Sequence, residues 1–300
     1  MSRVDLYLLL TAIIWGSNYS VIKFVLQDVP SRAFNVLRLL IASAVFLLVI
    51  ATRRRVQLAR LTGRDWAIVV LLGVVGQFLY QLLFIEGLER TSVVNASIII
   101  AWTPAAVSLV SAAVGHERLP WRHWAGTALS FVGVTLIVRG GAAAGVSSPL
   151  GDLMMVGCVA CWTVYTVAGR PLLATHSPLV MTGLSMAVGT VLFVPTALGD
   201  LARTQWTEVR PVMWVWVVFS SLLALNFSYT AWYLGVRQLG ASRTSLYSNV
   251  VPVAALVVAM AWLGERLVGL RLAGAMLVLA GVVLTRWRTR LPDTGPPAET

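Results

Sequence analysis

Three ionisable side chains, Lys23, Arg38 and Glu86, interrupt long apolar stretches in the first half of the chain. A charge inside such a stretch is costly, so these residues are candidates for function. We expect Glu86 to pair with Arg38 or Lys23 in the outer third of a bilayer, which would offset the cost of removing both ions from water. The remaining cation could attract an anionic group and Glu86 could hold a proton, so that the three residues gate or couple a passage. A static structural clamp, or snorkelling of Lys23 to the lipid head groups, is the alternative.

A second set of residues combines hydrogen-bonding amides with aromatic rings. Asn226, Tyr229 and Tyr233 follow helical spacing in one apolar stretch, and Gln77 and Gln81 do so in an earlier one. A face in contact with lipid would be apolar, so these faces are expected to line a cavity for a small amphipathic molecule. Packing inside the protein, or a place at the membrane interface, is the alternative for the aromatic residues. The predicted lining is Trp15, Asn18, Tyr19, Gln77, Tyr80, Gln81, Trp162, Tyr165, Asn226, Tyr229, Tyr233 and Asn249.

Prolines and cysteines also stand inside apolar stretches. Pro104 and Pro252 predict helix kinks, because proline removes a helical hydrogen bond. Each kink is either a point at which the helix flexes or a permanent bend of the helix. Cys158 and Cys161 have the spacing of a redox pair, but a buried apolar helix disfavours a reactive thiolate. We interpret them as small packing residues.

Ten apolar stretches must position these residues. Hydrophobic residues make up 58% of the 300 positions and charged residues only 12%, which leaves too little polar surface to cover a soluble globule. The stretches are continuous rather than alternating, which favours membrane-spanning helices over a barrel. The sequence therefore predicts an all-α integral membrane protein. Its ten transmembrane helices begin near Leu6, Ala33, Trp66, Ser92, Trp124, Leu153, Leu179, Val212, Ser245 and Leu270.

The two halves of the chain repeat one another. An offset of 148 residues aligns their later parts and an offset of 147 their earlier parts. The aligned pairs include Trp15 with Trp162, Gly87 with Gly235, Pro104 with Pro252, Glu117 with Glu265, Gly126 with Gly274 and Gly133 with Gly281. Residues 1–140 are therefore predicted to form one five-helix unit and residues 150–287 a second. The last two glycine pairs allow close packing of helices 5 and 10, within one subunit or across a dimer, so a monomer and a homodimer both remain open.

Arginines in the connecting segments predict the orientation of these units. With a cytoplasmic N-terminus, 14 arginines fall on the inside and 7 on the outside, as the positive-inside rule requires. Both termini are then cytoplasmic, and five helices per unit invert the second unit relative to the first. This distribution explains the net charge of +11 at pH 7 without nucleic acid. The proline-containing tail 288–300 is predicted to be disordered in the cytoplasm.

The order of several short motifs resembles the drug/metabolite transporter superfamily, EamA type. The motif residues are Trp15, Gly16, Ser17, Asn18 and Lys23 in the first span, Arg38 in the second, and Gly264, Glu265, Arg266 and Leu267 between the ninth and tenth. The resemblance extends from about Leu6 to about Leu284. It implies a ten-helix fold of inverted repeats in the cell (inner) membrane, with a central cavity formed mainly by spans 1, 3, 4, 6, 8 and 9. It also implies alternating access by rocking of the halves.

These observations lead to a functional hypothesis, a secondary transporter that moves a small metabolite such as an amino acid or a drug-like solute, with export favoured by the resemblance. Uptake, exchange and lipid flipping are the alternatives within this fold. An enzyme is disfavoured because the sequence has no HExxH motif, no clustered histidines and no serine nucleophile with a base. No cofactor or metal is predicted. The expected partners are a small-molecule substrate and the lipid bilayer, with proton coupling at Glu86 and facilitated transport both open.

Overall fold

The computed structural model describes residues 2–52, 61–91, 96, 99–117, 119–139, 148–254 and 269–286, and regular structure in this part of the chain is helical throughout. The tail 288–300 lies outside the described residues, so its predicted disorder stays a prediction. In chain order the helices are α1 (Arg3–Val25), α2 (Ser31–Thr52), α3 (Gly63–Arg90), α4 (Thr103–Ala113), α5 (Trp121–Arg139), α6 (Pro149–Ala174), α7 (Pro178–Arg203), α8 (Pro211–Leu239), α9 (241–254) and α10 (Gly269–Arg286).

Local sequence signals set several helix starts. Ser2 caps α1 and Thr62 caps α3, and in both cases an acidic residue three positions later, Asp5 or Asp65, bonds back to the capping backbone. Such capping boxes satisfy N–H groups that have no partner within the helix. Prolines occupy the first turn of α6, α7 and α8, where the missing N–H is not needed.

Five helices are long and apolar enough to cross a membrane: α2, α3, α6, α7 and α8. Shorter apolar helices lie at Thr103–Ala113, in α4, and at Leu272–Leu284, in α10. The all-α architecture is confirmed for the described residues. Ten transmembrane helices, and the division into units 1–140 and 150–287, stay predictions.

Helices at equivalent positions of the sequence repeat pack against one another. Extensive contacts join two equivalent pairs, α2 with α7 and α5 with α10. The extensive contacts of α3 with α6 and of α1 with α8 correspond to each other under the repeat. Hydrogen bonds link residues related by the repeat offset: Ser43 Oγ lies 2.7 Å from Thr190 Oγ1, and Ser130 Oγ donates to the Val278 carbonyl at 3.3 Å. The repeat read from the sequence therefore reappears as a repeat of contacts.

Glycines permit the close approach of α5 and α10. A Cβ atom on Gly133 would lie 2.6 Å from the Gly274 carbonyl oxygen, and one on Gly281 would lie 2.5 Å from the Gly126 carbonyl oxygen. Both distances are too short for a side chain, so the backbones touch here as in other small-residue helix contacts. The four repeated glycines thus join helices of one subunit.

α3 and α8 each contain a π-helical segment near their middle. The segments Gly73–Leu79 and Ser220–Phe227 occupy equivalent positions of the repeat. A π-helical turn shifts the hydrogen-bond register and leaves carbonyl groups available to other donors. In the second segment the Ala224 carbonyl accepts the indole N–H of Trp15 at 3.0 Å.

Polar contacts close the helix ends on one side of the bundle, which we call the Glu117 end. Glu117, in the α4–α5 connection, pairs with Arg170 at the end of α6, with 3.1 Å between Oε1 and Nη1. Its carboxylate also accepts the backbone N–H groups of Ala241 (2.7 Å) and Ser242 (3.3 Å) at the start of α9. One side chain therefore joins three helix ends.

The opposite side, which we call the Glu86 end, is closed by arginines. Arg210, just before α8, binds Asp28 in the α1–α2 connection, with 2.7 Å between Nε and Oδ2. Glu86, late in α3, contacts Arg32 at the start of α2 and Arg90 one turn further along α3. The helix ends joined here are those that the arginine distribution assigns to one side of the membrane.

Candidate binding cavity

A cavity of about 130 Å³ lies between α1, α2, α3, α6, α8, α9 and the segment that leads into α4. Its position agrees with the central cavity predicted from the aromatic and amide residues, with α2 as an additional wall. It is lined by Trp15, Asn18, Tyr19, Ile22, Arg38, Tyr80, Gln81, Phe84, Ile100, Ala101, Thr103, Cys158, Val159, Trp162, Ala224, Leu225, Tyr229, Ser248, Val251 and Pro252.

Aromatic rings form the largest part of the wall. Trp162, on α6, lies at the centre, with its ring centroid 5.5 Å from that of Trp15, 5.1 Å from Tyr80 and 5.1 Å from Tyr229. The Trp15 and Tyr229 rings meet it edge-on, an arrangement favoured by the ring quadrupoles. These packed rings have little freedom to move, so the cavity offers preformed apolar surfaces.

Two polar pairs fix the orientation of side chains at the cavity wall. The Gln81 amide donates to the Tyr229 hydroxyl at 3.1 Å, across the 148-residue offset of the repeat. The Ser220 hydroxyl donates to the amide oxygen of Asn18 at 2.6 Å. Each side chain has hydrogen-bonding capacity beyond this single bond, which leaves donors and acceptors for a bound solute.

Arg38 brings a positive charge to the cavity. Its side chain is buried, with 3% of the residue exposed, and its guanidinium carbon lies 5.2 Å from the ring centroid of Phe34. Among the described residues, Nε and Nη1 have no hydrogen-bond partner. A buried guanidinium with open donors is a strong site for a carboxylate.

Seven of the twelve predicted lining residues line this cavity: Trp15, Asn18, Tyr19, Tyr80, Gln81, Trp162 and Tyr229. The other five, Gln77, Tyr165, Asn226, Tyr233 and Asn249, lie elsewhere in the bundle. The Asn226 amide is turned toward α2 and donates to the Ala42 carbonyl at 2.9 Å. The rings of Tyr165 and Tyr233 stack on each other at 4.6 Å.

Sequence reasoning missed most of the apolar lining. Ile22, Ile100 and Leu225 are of residue types that every membrane helix contains, so no signal distinguishes them. Cys158 was interpreted as a packing residue, but it faces the cavity. Its position four residues before Trp162 on one helical face was the signal that could have placed it there.

The kink prolines lie at different distances from the cavity. Pro252 lines it. Pro104 stands in the first turn of α4, after a turn at Ala101 and Trp102, so it begins a helix rather than bending one.

The predicted pairing of Glu86 with Arg38 was wrong, and the alternative pairing with Lys23 stays a prediction. The structure pairs Glu86 with Arg32 and Arg90, with 2.6 Å between Glu86 Oε2 and Arg90 Nη1, and not with Arg38. The side chain of Lys23 lies outside the described residues. Arg32 precedes Arg38 by six residues, or roughly 9 Å along a helix, so Glu86 is nearer the helix ends than we expected. Arg38 is thereby left to the cavity.

The comparisons with known proteins agree with this architecture. The model of the EamA-like transporter family matches residues 2–139 and 149–287. The chain belongs to this family. It is therefore related to multi-pass membrane transporters, and the resemblance seen in the short motifs is confirmed. Family and relatives point to transport rather than to enzymatic activity.

Two curated relatives span almost the whole chain. A protein of Streptantibioticus cattleyicolor named "Probable terminal-alkyne amino-acid exporter" is 30% identical over 298 residues, which covers 96% of this chain and 95% of that one. A protein of Salmonella typhimurium named "Probable amino-acid metabolite efflux pump" is 27% identical over 304 residues and covers 98% of both chains. A solved crystal structure with 20% identity matches with a TM-score of 0.77 over 94% of this chain and 96% of its own, which shows the shared fold.

Proposed function

We propose that the protein is a secondary transporter that exports a small metabolite with an anionic group, an amino acid or a related compound, by alternating access. Its two five-helix units are inverted relative to each other, and both termini lie in the cytoplasm of a cell whose inner membrane holds the protein. The relatives named as an exporter and an efflux pump support the direction and the solute class.

The cavity carries this proposal. It combines aromatic walls with the buried guanidinium of Arg38, whose Nε and Nη1 lack a partner among the described residues. The aromatic rings can pack against an apolar side chain of the solute, while the guanidinium can bind the solute's carboxylate. The amides of Asn18 and Gln81 supply further hydrogen-bonding groups at the wall. Together these groups fit a solute with a charged head and an apolar body.

The repeat of contacts supports alternating access. Residues at equivalent positions touch each other, among them Trp15 with Trp162 and Gln81 with Tyr229, and these pairs also line the cavity. A site on the axis that relates two units can be exposed to each side in turn when one unit rocks against the other. Both ends of the bundle are joined by polar contacts that such rocking would break and reform.

Glu86 is assigned to closure of its end rather than to proton coupling. Two guanidinium groups contact its carboxylate, and Arg32 also donates to the Thr196 carbonyl of α7 at 3.4 Å. This arrangement ties α2, α3 and α7 together. We therefore propose facilitated transport or exchange, with the solute gradient as the driving force.

Flux from proteoliposomes loaded with a mixed metabolite extract tests the proposal, with depletion read by mass spectrometry. We expect wild-type protein to release carboxylate-bearing solutes selectively, and Arg38→Gln to reduce that flux at least about tenfold, because a charged hydrogen bond of about 1.5–3 kcal/mol is lost. Arg237→Gln, an exposed residue at the end of α8, is the matched control. Equal flux in Arg38→Gln and wild type would contradict the role of Arg38. Scrambling of labelled phospholipid without solute release would favour a flippase.

A further inference from the structure

Several buried polar side chains away from the cavity have no hydrogen-bond partner among the described residues. Among them are the hydroxyl groups of Thr11 and Tyr165 and the amide groups of Gln77 and Asn249. Each of these residues is at most 1% exposed. Native proteins satisfy nearly all buried polar groups, so these four residues require an explanation.

The internal repeat supplies an explanation for these unpaired polar groups. Each of these residues has a repeat partner that lines the cavity, and so does the buried Ser185 on α7. The offset of 147 applies to α2 and α7 as well, because they begin at Ser31 and Pro178. The pairs are Thr11 with Cys158, Gln77 with Leu225, Tyr165 with Asn18, Ser185 with Arg38, and Asn249 with Ala101. We call Thr11, Gln77, Tyr165, Ser185 and Asn249 the mirror residues.

Part of this set is already gathered in one place. The Tyr165 hydroxyl is close to the side chains of Gln77, Ser185 and Thr182. The ring of Tyr165 packs against the backbone at Gly76, and its other face stacks on Tyr233. The polar groups are therefore adjacent, and Ser185 Oγ donates to the Thr182 carbonyl at 3.0 Å, as expected for a lining whose space is closed.

We propose that the mirror residues form a second, closed face of the binding site, which opens toward the Glu117 end and takes the same carboxylate-bearing solute. This inference rests on the proposed function. When the two units exchange their arrangements, each mirror residue takes the place that its partner has around the cavity now. Its polar atoms are then hydrated or bonded to the solute.

The Glu117 end holds this second face closed. Glu117 ties the α4–α5 connection to Arg170 and to the start of α9. The Tyr233 hydroxyl donates to the Tyr165 carbonyl at 3.0 Å, and the rings of these two residues stack on each other. These contacts lie between the mirror residues and the helix ends, so they must separate before solute or water reaches the second face.

The two faces differ in charge. Ser185 stands where the repeat places Arg38, and the other mirror residues are neutral hydroxyl and amide groups. A carboxylate therefore meets a guanidinium on the face that lines the cavity in this structure, and only neutral donors on the second face. The second face should therefore hold the same solute more weakly than the face that contains Arg38.

Thiol accessibility tests the second face, because the repeat pairs native Cys158 with Thr11. One variant, Cys161→Ala, keeps Cys158 in the cavity. The other, Cys158→Ala with Cys161→Ala and Thr11→Cys, moves the thiol to the mirror position. Both are treated with a membrane-impermeant methanethiosulfonate in right-side-out and inside-out vesicles, with and without an amino-acid mixture. Val191→Cys, on a residue that is 69% exposed on the outer surface of α7, is the control for a lipid-facing thiol.

We expect Cys158, which lines the cavity, to react from the Glu86 end when the contacts of Glu86 separate. Thr11→Cys should react from the Glu117 end, and both thiols should react at least tenfold faster than Val191→Cys. The amino-acid mixture should change both rates, because it drives the exchange of states. Ser185→Cys, a nearly isosteric change, repeats the test if Thr11→Cys does not fold. If neither mirror thiol reacts from the Glu117 end while wild-type protein in the same vesicles shows amino-acid counterflow, the second face is overturned and the transporter stands. Absence of wild-type counterflow would overturn the proposed function itself.

Discussion

Replacing Glu117 by Gln is expected to loosen the Glu117 end of the bundle. The carboxylate accepts the backbone N–H groups of Ala241 and Ser242 at 2.7 and 3.3 Å, and lies 3.1 Å from Arg170 Nη1. Glutamine is of similar size and keeps one acceptor oxygen. It removes the negative charge and the second acceptor, so the change isolates the electrostatic part of this contact.

The expected magnitude follows from the individual contacts. A hydrogen bond to a charged group contributes about 1.5–3 kcal/mol and a neutral one about 0.5–1.5 kcal/mol, so loss of the charge costs about 1 kcal/mol at the shorter bond. The ion pair is partly exposed, with 30% of the Arg170 side chain and 12% of the Glu117 side chain accessible. Such a pair adds about 0.2–1 kcal/mol. The total of about 1–2 kcal/mol corresponds to a roughly 5- to 30-fold increase in the open fraction of this end.

Hydrogen–deuterium exchange of the peptide that contains Ala241 and Ser242 measures this opening. We expect exchange to rise roughly 5- to 30-fold in Glu117→Gln, and further in Glu117→Ala, which has no acceptor left. Glu89→Gln, an exposed residue of α3, controls for the loss of one negative charge. Unchanged exchange in Glu117→Gln protein that melts at the wild-type temperature would refute the reasoning.

Three further changes have expected outcomes. Gly240→Ala should lower the melting temperature, because Gly240 has φ of 89° and a Cβ there would lie 2.5 Å from Glu117 Oε1; an unchanged melting temperature would contradict this. The Arg210 guanidinium hydrogen-bonds to Asp28 and lowers the pKa of that carboxyl below its ordinary value. This pair therefore stabilises the fold above the unfolded-state pKa and loses its effect as pH falls through the folded-state pKa, so Asp28→Asn should flatten the acid limb of a melting-temperature profile; identical profiles would count against it. Glu86→Gln leaves two guanidinium groups without their counter-charge and should therefore lower the melting temperature. The pH dependence of flux should stay unchanged, and loss of pH-driven flux in this variant would instead support proton coupling at Glu86.

The sequence was sufficient for the general architecture and for part of the site. The repeat offset, visible in Pro104 and Pro252, reappears in the structure as contacts between equivalent helices. Trp15, Trp162 and Tyr229 could be placed at a cavity because polar and aromatic types at matched repeat positions are rare in a lipid-facing surface. Both inferences depend only on residue type and period, which the sequence contains in full.

The ion pairs and the closed half of the site could not be predicted in the same way. The pairing of Glu86 with Arg32 rather than Arg38 depends on the depth and rotation of α2 relative to α3, which no periodicity specifies. Tyr229 and Tyr233 have the same residue type and are one helical turn apart. Tyr229 lines the cavity while Tyr233 packs against Tyr165. Residue type and spacing alone do not specify which of the two rings faces the cavity.

Arg38 and its repeat partner Ser185 differ in charge, but this difference does not set the direction of net transport. In a carrier without a coupled ion, net flux follows the solute gradient, because a ligand changes only the relative populations of the states through its differential affinity. A carboxylate that meets Arg38 only on the face that now lines the cavity stabilises the state described here. The asymmetry therefore sets unequal half-saturation concentrations on the two sides of the membrane. Export, in this view, results from a high cytoplasmic concentration of the solute, and the neutral face at the Glu117 end allows loading only when that concentration is high.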